Sequence, residues 1–318
     1  MPNNSRPILV IGSLNMDLVA RCEHLPREGQ TIFGSDFFMA AGGKGANQAV
    51  AAARLGGCVT MAGCVGCDQF GRKLLAGLAK YGIRTDHIET VDKPTGTALI
   101  TVDGAGHNTI IVISGANGEC GPALVDRALA DVGTPGVLLL QHEVPAGTNA
   151  HAIRHAKATG WFVVLNPAPA RAVPPQLLTL IDVIAPNETE AAALTGVAIA
   201  SRQDALVAAR QLVDQGARAA LITLGGDGAL YCDADKALHC PATKVHAIDT
   251  TAAGDAYLGA LATALAEGQP VEQSLSLAAV AAGLAVTRLG AQPSLGTRAE
   301  LEQFIISHGQ PEAAIVPG

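Results

Sequence analysis

The sequence predicts an α/β protein: a mostly parallel central sheet with helices on both faces, plus a small β-sheet lid. Three observations lead there. Short apolar runs bounded by glycine or polar residues recur at 8–12, 59–64, 137–141, 162–166, 183–185 and 219–223. Continuous apolar runs of this length suit strands buried on both faces. Helical stretches alternate with them, and such alternation builds parallel sheets through right-handed crossovers. Two β-rich pieces, about 15–41 and 95–114, stand outside that alternation. Both are expected to leave the core and pair with one another as a lid over the strand ends, two ordinary surface hairpins being the alternative.

Each element has a local reason. After the first strand, strand-like runs at 18–22 and 30–38 flank Leu25-Pro26-Arg27-Glu28-Gly29, a hairpin-like connection. A helix over 46–55 stops at Gly56-Gly57, and another over 68–81 stops at Gly82. Asp103-Gly104 and Gly106 punctuate the second β-rich piece. Helices follow at 146–159, 188–195 and 202–215, the last opened by Ser201 and closed by Gly216. The last third is helical, over 253–267, 272–288 and 298–307, with the alanine-rich part of the middle helix buried. No internal repeat or long linker interrupts the 318 residues, which read as one α/β domain.

Composition narrows the function classes. About half the residues are hydrophobic and 15% are charged, as in a compact enzyme-sized globule. A net charge of −7 argues against a nucleic-acid or anionic-membrane surface. The N-terminal apolar run is too short for a signal peptide or a membrane span. Seven scattered cysteines, an odd number, fit a reducing cytoplasm better than a disulfide framework. Cys64 and Cys67 form a lone C-x-x-C with no second pair at zinc-site spacing. His151 and His155 lie four apart without the intervening Glu of a zincin, and read as a solvated helix face.

Polar residues gather where strands end. Asn15 and Asp17 follow the first strand, Gly43, Lys44 and Asn47 open a helix, and Glu143 follows the run ending at Gln141. Together they offer donors and acceptors to a polyhydroxylated ligand. Asn187-Glu188-Thr189-Glu190 sits at a strand-to-helix junction, where carboxylates can meet Mg²⁺ through water or simply cap the helix. Thr223-Leu224-Gly225-Gly226-Asp227-Gly228 is a glycine-rich turn that admits close approach of a nucleotide, or a plain tight turn. Asp249-Thr250-Thr251-Ala252-Ala253-Gly254-Asp255 brings a carboxylate to the first turn of a helix. Free N–H groups there suit a phosphate, so Asp255 either performs proton chemistry or only favours the helix dipole. The Walker A spacing is absent around Gly42–Gly45, because Phe38 occupies the first glycine position and Gly45 the Ser/Thr position. No G-x-G-x-x-G follows the first strand, which disfavours a dehydrogenase.

These motifs, in order and over nearly the whole chain, resemble the ribokinase (PfkB) family of sugar kinases. Asn15-Met16-Asp17, Gly42-Gly43-Lys44-Gly45-Ala46-Asn47-Gln48-Ala49, Asn166-Pro167-Ala168-Pro169-Ala170, Asn187-Glu188-Thr189-Glu190, Thr223-Leu224-Gly225 and Asp249 to Asp255 carry the likeness. The segment from Ala285 to Ser294 adds to it. The resemblance implies ATP-dependent phosphorylation of the 5-hydroxyl of D-ribose, with 2-deoxyribose, fructose or a purine nucleoside as alternative acceptors. A non-catalytic sugar or nucleotide sensor on the same fold is the alternative outside catalysis.

The likeness also implies roles. Asn15, Met16, Asp17, Gly43, Lys44, Gly45, Ala46, Asn47 and Glu143 would hold the sugar. Asp255 would be the base, beside an anion hole of the N–H groups from Ala252, Ala253, Gly254 and Asp255. Asn187, Thr223, Leu224, Gly225, Gly226, Asp227, Gly228, Gly254 and Ala279 would line the ATP site, with Glu190 reaching Mg²⁺ through water. Asp249, Thr251, Ala285, Arg288, Gly290 and Ser294 would surround K⁺, mostly through backbone carbonyls. A homodimer clasped through the lid sheets is implied as well. Ala279 stands where relatives can carry a His near the adenine, so that contact is lost or replaced. Thr251 and Tyr257 also depart from common choices, and Cys67 falls within a Val-Gly-x-Asp turn, which makes the C-x-x-C accidental.

Overall fold

The structure, a computed structural model, describes residues 5–316. Its first half runs β1 (Ile8–Ile11), β2 (Asn15–Arg21), β3 (Asp36–Gly42), α1 (Lys44–Arg54), β4 (Val59–Gly66), α2 (Gln69–Lys80), β5 (Arg84–Val91), β6 (Gly96–Val102), β7 (Asn108–Ile113), a 3₁₀ turn (Gly115–Glu119) and α3 (Pro122–Val132). Then come β8 (Val137–Gln141), α4 (Ala146–Ala158), β9 (Phe162–Asn166), α5 (Pro175–Leu178), β10 (Val183–Ile184), α6 (Glu188–Thr195), α7 (Arg202–Asp214) and β11 (Ala219–Thr223). The chain closes with β12 (Ala229–Asp233), β13 (Ala237–Cys240), α8 (Ala253–Ala266), α9 (Val271–Ala285), α10 (Arg298–His308) and β14 (Ala314–Ile315).

Ten strands form the large sheet, in the order β14-β13-β12-β11-β10-β9-β8-β1-β4-β5. From β5 across to β11 neighbours run parallel, and β12 to β14 add antiparallel pairs at one edge. Side chains alternate between two cores, as the strand period of two requires. Ile8, Val10, Leu139, Val164 and Leu221 join the core shared with α1, α8 and α9. Leu9, Ile11, Leu138, Leu165 and Ile222 join the one shared with α3, α4 and α7. Because the strands are parallel, the residues following β1, β8, β9, β10 and β11 emerge along one edge.

The second sheet is the expected pairing of the two β-rich pieces, in the order β3-β2-β6-β7. It is mixed: β2 runs parallel to β6, while β2–β3 and β6–β7 are antiparallel. The strand expected at 30–38 lies instead at Asp36–Gly42, and 30–35 form an exposed loop. Register decides this, because β2 starts at Asn15, opposite Gly42, and Arg21 then meets Asp36. Strand β5, helix α3 and the β12–β13 hairpin were not legible as separate elements in the sequence pattern. The helix expected to reach residue 288 stops at Ala285, with Val286 as its C-cap.

Helices α1 and α8 cross at very short range. A Cβ added at Gly259 would lie 2.4 Å from the Ala51 Cβ and 2.8 Å from the Gln48 carbonyl oxygen. Gly259→Ala is therefore expected to destabilise the fold by about 1–3 kcal/mol through overpacking, read as a lower urea midpoint at unchanged slope.

Candidate active site

Asp255 occupies the first turn of α8 and is 7% exposed. Its Oδ2 accepts from Asn47 Nδ2 at 3.0 Å and its Oδ1 from Gln48 Nε2 at 2.9 Å. Both donors come from α1, so the crossing that excludes a side chain at Gly259 also aims two amides at the carboxylate. Gln48 is itself fixed: its Oε1 accepts from Gln141 Nε2 at 2.7 Å, and its Nε2 also reaches Asn166 Oδ1 at 3.1 Å. Asn166 in turn donates to the Ala185 carbonyl at 2.8 Å. Burial raises the Asp255 pKa, opposed by the Lys44 ammonium and the two amides, and abetted by Glu143.

The loop before α8 supplies the anion-binding geometry. Ala252 has φ 59° and ψ 13°, and is the one non-glycine residue at positive φ among the described residues. Such a conformation costs an alanine about 1–2 kcal/mol. A left-handed residue running into a right-handed turn makes successive N–H groups converge, a cradle for negative charge. The Ala253 N–H turns back to the Thr250 carbonyl at 3.2 Å, so it is engaged within the loop. The Gly254 and Asp255 N–H groups have no acceptor among the described residues. Ala252, Ala253, Gly254 and Asp255 line a cavity of about 210 Å³ with Lys44, Asn166, Asn187, Glu190 and Thr223.

Around this cavity, carboxylates outnumber cations. Burial works against the Lys44 ammonium, but Asp255, Glu143 and Glu190 outweigh it and hold its pKa above the ordinary lysine value. Burial raises the Glu190 pKa, with the Asn187 N–H and Lys44 opposing. Glu190 also closes a capping box with Asn187, their reciprocal bonds measuring 2.8 and 2.9 Å, so the capping expectation holds while the carboxylate faces Lys44. Asp17 is pushed up to about 7, by burial first and then by repulsion from Glu143 and Asp255. Asp17 lies over Gly42, where a Cβ would sit 2.2 Å from its Oδ2.

Two further contacts shape the β1–β2 corner. Glu143 Oε2 accepts from the Ser13 hydroxyl at 2.5 Å and from the Lys44 N–H at 3.0 Å, tying β1, α1 and the end of β8. Asn117, absent from the sequence-derived candidates, donates to Asn15 Oδ1 at 2.7 Å and accepts from the Leu14 N–H at 2.9 Å. Gly43 has φ 89°, and a Cβ there would meet the Asn15 nitrogen at 2.8 Å. Gly45 sits equally close, 2.6 Å from the Ser13 nitrogen. The Asn47 Oδ1 is buried with no partner among the described residues, a free acceptor beside Asp255.

Several expected site residues lie outside the lining of this cavity. Met16 and Ala46 pack into the core shared with α8 and α9. Leu224 is buried in the opposite core, and Asp227 turns outward to a two-pronged pair with Arg202 at 3.0 and 3.3 Å. Gly225, Gly226 and Gly228 form the turn after β11, where a Cβ at Gly228 would lie 2.1 Å from the Cys240 carbonyl oxygen. Ala279 is a core residue of α9, its carbonyl accepting from Thr243 at 3.3 Å. Asp249 bridges two loops, accepting from the Thr251 N–H at 2.9 Å and the Gly290 N–H at 2.8 Å. The Arg288 guanidinium pairs with Glu300 at 2.8 Å, and the Ser294 hydroxyl donates to the Ala291 carbonyl at 2.7 Å. Cys64 is buried and Cys67 exposed, so the C-x-x-C does not present two thiols together.

The sequence signature described as pfkB family carbohydrate kinase matches residues 5–298. The chain belongs to that family. This carbohydrate kinase is 41% identical over 301 residues to the ribokinase of Haemophilus influenzae, covering 94% of this chain and 98% of that one. It is 39% identical over 299 residues to a deoxyribokinase of Salmonella typhi, covering 93% and 97%. The solved structure of Arabidopsis thaliana ribokinase complexed with ribose and ATP superposes at a TM-score of 0.86, with 32% identity over 95% and 99% of the two chains. The pocket of this kinase thus lies at the strand ends of a shared fold.

The Asp17 shift has a definite sign. A carboxyl raised from 3.8 to about 7 contributes stability that is fully present below pH 4 and lost as pH rises through 7. Without ligand, the wild type is expected to lose stability between pH 4 and 8 more steeply than Asp17→Asn, as read by thermal melts at both pH values.

Proposed function

We propose that this protein is an ATP-dependent ribokinase, transferring a phosphoryl group to the 5-hydroxyl of D-ribose and releasing ADP. The observation that carries the reading is the pairing of a buried carboxylate, Asp255, with free N–H groups at the same helix start. Family membership and the ribokinase likeness over nearly the whole chain support it. Asn15, Asp17, Gly43, Lys44, Asn47 and Glu143 would hold the sugar, the unpartnered Asn47 Oδ1 accepting from one of its hydroxyls. The lid sheet brings Asp17 over the site and would shield the transfer from water.

In this mechanism Asp255 accepts the proton of the 5-hydroxyl as its oxygen attacks the terminal phosphorus, and ADP departs in line. A carboxylate whose pKa is raised by burial is a better proton acceptor than a free one. The Gly254 and Asp255 N–H groups stabilise the charge on the transferring group, the main task in phosphoryl transfer. Asn187, Thr223 and the 225–228 turn would receive the nucleotide.

The donor set fits Mg²⁺: the Asp255 and Glu190 carboxylates share one ammonium, leaving unbalanced negative charge at the cavity. Glu190 would hold the ion through water, and the ion supplies neutralisation of phosphate charge. The 249–251 and 288–294 loops fit K⁺, since the Thr251, Arg288 and Gly290 carbonyls accept no hydrogen bond among the described residues. Stimulation by K⁺ over Na⁺ is expected, and equal rates in K⁺, Na⁺ and a bulky organic cation would remove that site.

Among the described residues no helix is long and apolar enough to cross a membrane. All seven cysteines are free, which supports a reducing cytoplasm as the location. The outer strand of the small sheet exposes Ile110, Ile111, Val112 and Ile113, each 47% or more exposed. This apolar row supports a homodimer through the lids; sedimentation at micromolar concentration is expected to give twice the chain mass.

The deoxyribokinase relative favours 2-deoxyribose as the second acceptor to test. The deciding experiment is an ATP-coupled assay over ribose, 2-deoxyribose, fructose and adenosine, with ribose expected to win. A preference for another acceptor refutes the ribose assignment. In the same assay Asp255→Asn is expected to lose roughly 10²–10⁴-fold in kcat with ribose still bound, and near-normal turnover overturns the base assignment.

A further inference from the structure

Helices α3 and α4 pack through Leu124, Val125, Ala128, Ala152, Ile153 and Ala156, on the sheet face opposite α1 and α8. Outside that apolar seam, three side chains converge. His151 and His155, one turn apart on α4, share a face. Asp126 of α3 meets both: its Oδ1 lies 2.6 Å from His151 Nε2 and 2.7 Å from His155 Nδ1. The three donor atoms all lie within 4.8 Å of one another. Among the described residues Asp126 has no lysine or arginine partner, unlike Asp131 further along α3 and Asp182 just before β10. All three side chains are between a third and half exposed, so an ion can enter and keep water on its open positions.

We propose that Asp126, His151 and His155 form a surface site for a divalent transition-metal ion of the Zn²⁺ type, clasping α3 to α4. Two imidazoles with one carboxylate suit Zn²⁺, Co²⁺ or Ni²⁺ rather than Mg²⁺ or Ca²⁺, which prefer all-oxygen shells. Three protein ligands with an open position is a common zinc arrangement. The clasp is separate from the kinase pocket, yet it joins two helices that begin a few residues after Asn117 and Glu143. Binding would therefore tie down the two segments that support the sugar side of the pocket.

The test is calorimetry and thermal melting of the full chain with Zn²⁺, repeated with Co²⁺ for its absorption spectrum, in a buffer containing millimolar Mg²⁺. One Zn²⁺ per chain, a raised Tm and a nitrogen–oxygen Co²⁺ spectrum without a thiolate band are expected. In His151→Gln/His155→Gln the affinity should fall by roughly tenfold or more, and Asp126→Asn should weaken it too. The variants' folding is checked by unchanged metal-free Tm and kinase activity. Binding that persists in the double variant, a thiolate band, or no saturable binding overturns the site.

Discussion

The buried Asp255 carboxylate is the constraint on which the rest of the site depends. An ionisable group at 7% exposure is costly unless partners meet it. Here both oxygens accept amide hydrogens from consecutive residues of α1, and one ammonium lies nearby. Those amides reach only because α1 and α8 cross closely enough to exclude any side chain at Gly259. Neutral donors satisfy the carboxylate's lone pairs without the deep pKa depression that direct pairing with a guanidinium brings. The group remains ionisable, and its proton affinity stays above that of a free carboxyl.

A second constraint is the separation of signs within one cavity. Glu190 and Asp255 line it with Lys44, Glu143 acts on the same ammonium and Asp17 on Glu143 and Asp255, while the Gly254 and Asp255 N–H groups open the helix at the same cavity. Carboxylate acceptors and free N–H donors therefore stand side by side. The strained Ala252 and the close-packed Gly43 and Gly45 show where backbone conformation is spent to achieve this.

The small sheet connects the pocket with the outer surface. Asn15 and Asp17 sit at the start of β2, anchored by Asn117 and Gly42, while β7 at its far edge is exposed along its whole length. A strand apolar on an open edge invites a partner. One sheet thus carries Asn15 and Asp17 at one end and leaves an exposed apolar edge at the other.

Much of this was legible from residues alone. Apolar runs such as 137–141 read as strands because their short length and their glycine or polar bounds suit burial on both faces of a sheet. The glycine-rich turn at 42–45 and the loop at 249–255 announced helix starts, the second with free N–H groups. What the sequence determined by itself was the alternation of core strands with helices and the identity of the groups at the strand ends. Tertiary structure alone decided which groups meet. Gln48, Gln141 and Asn166 form one chain of amides although they come from three segments, a proximity that no local pattern encodes. Asn117 and Asp126 gain their meaning from neighbours far along the chain, as does Asp227 from its pair with Arg202. Likewise the register of β3, shifted from 30–38 to Asp36–Gly42, follows from its pairing with β2, because hydrogen-bonded alignment outweighs local strand propensity.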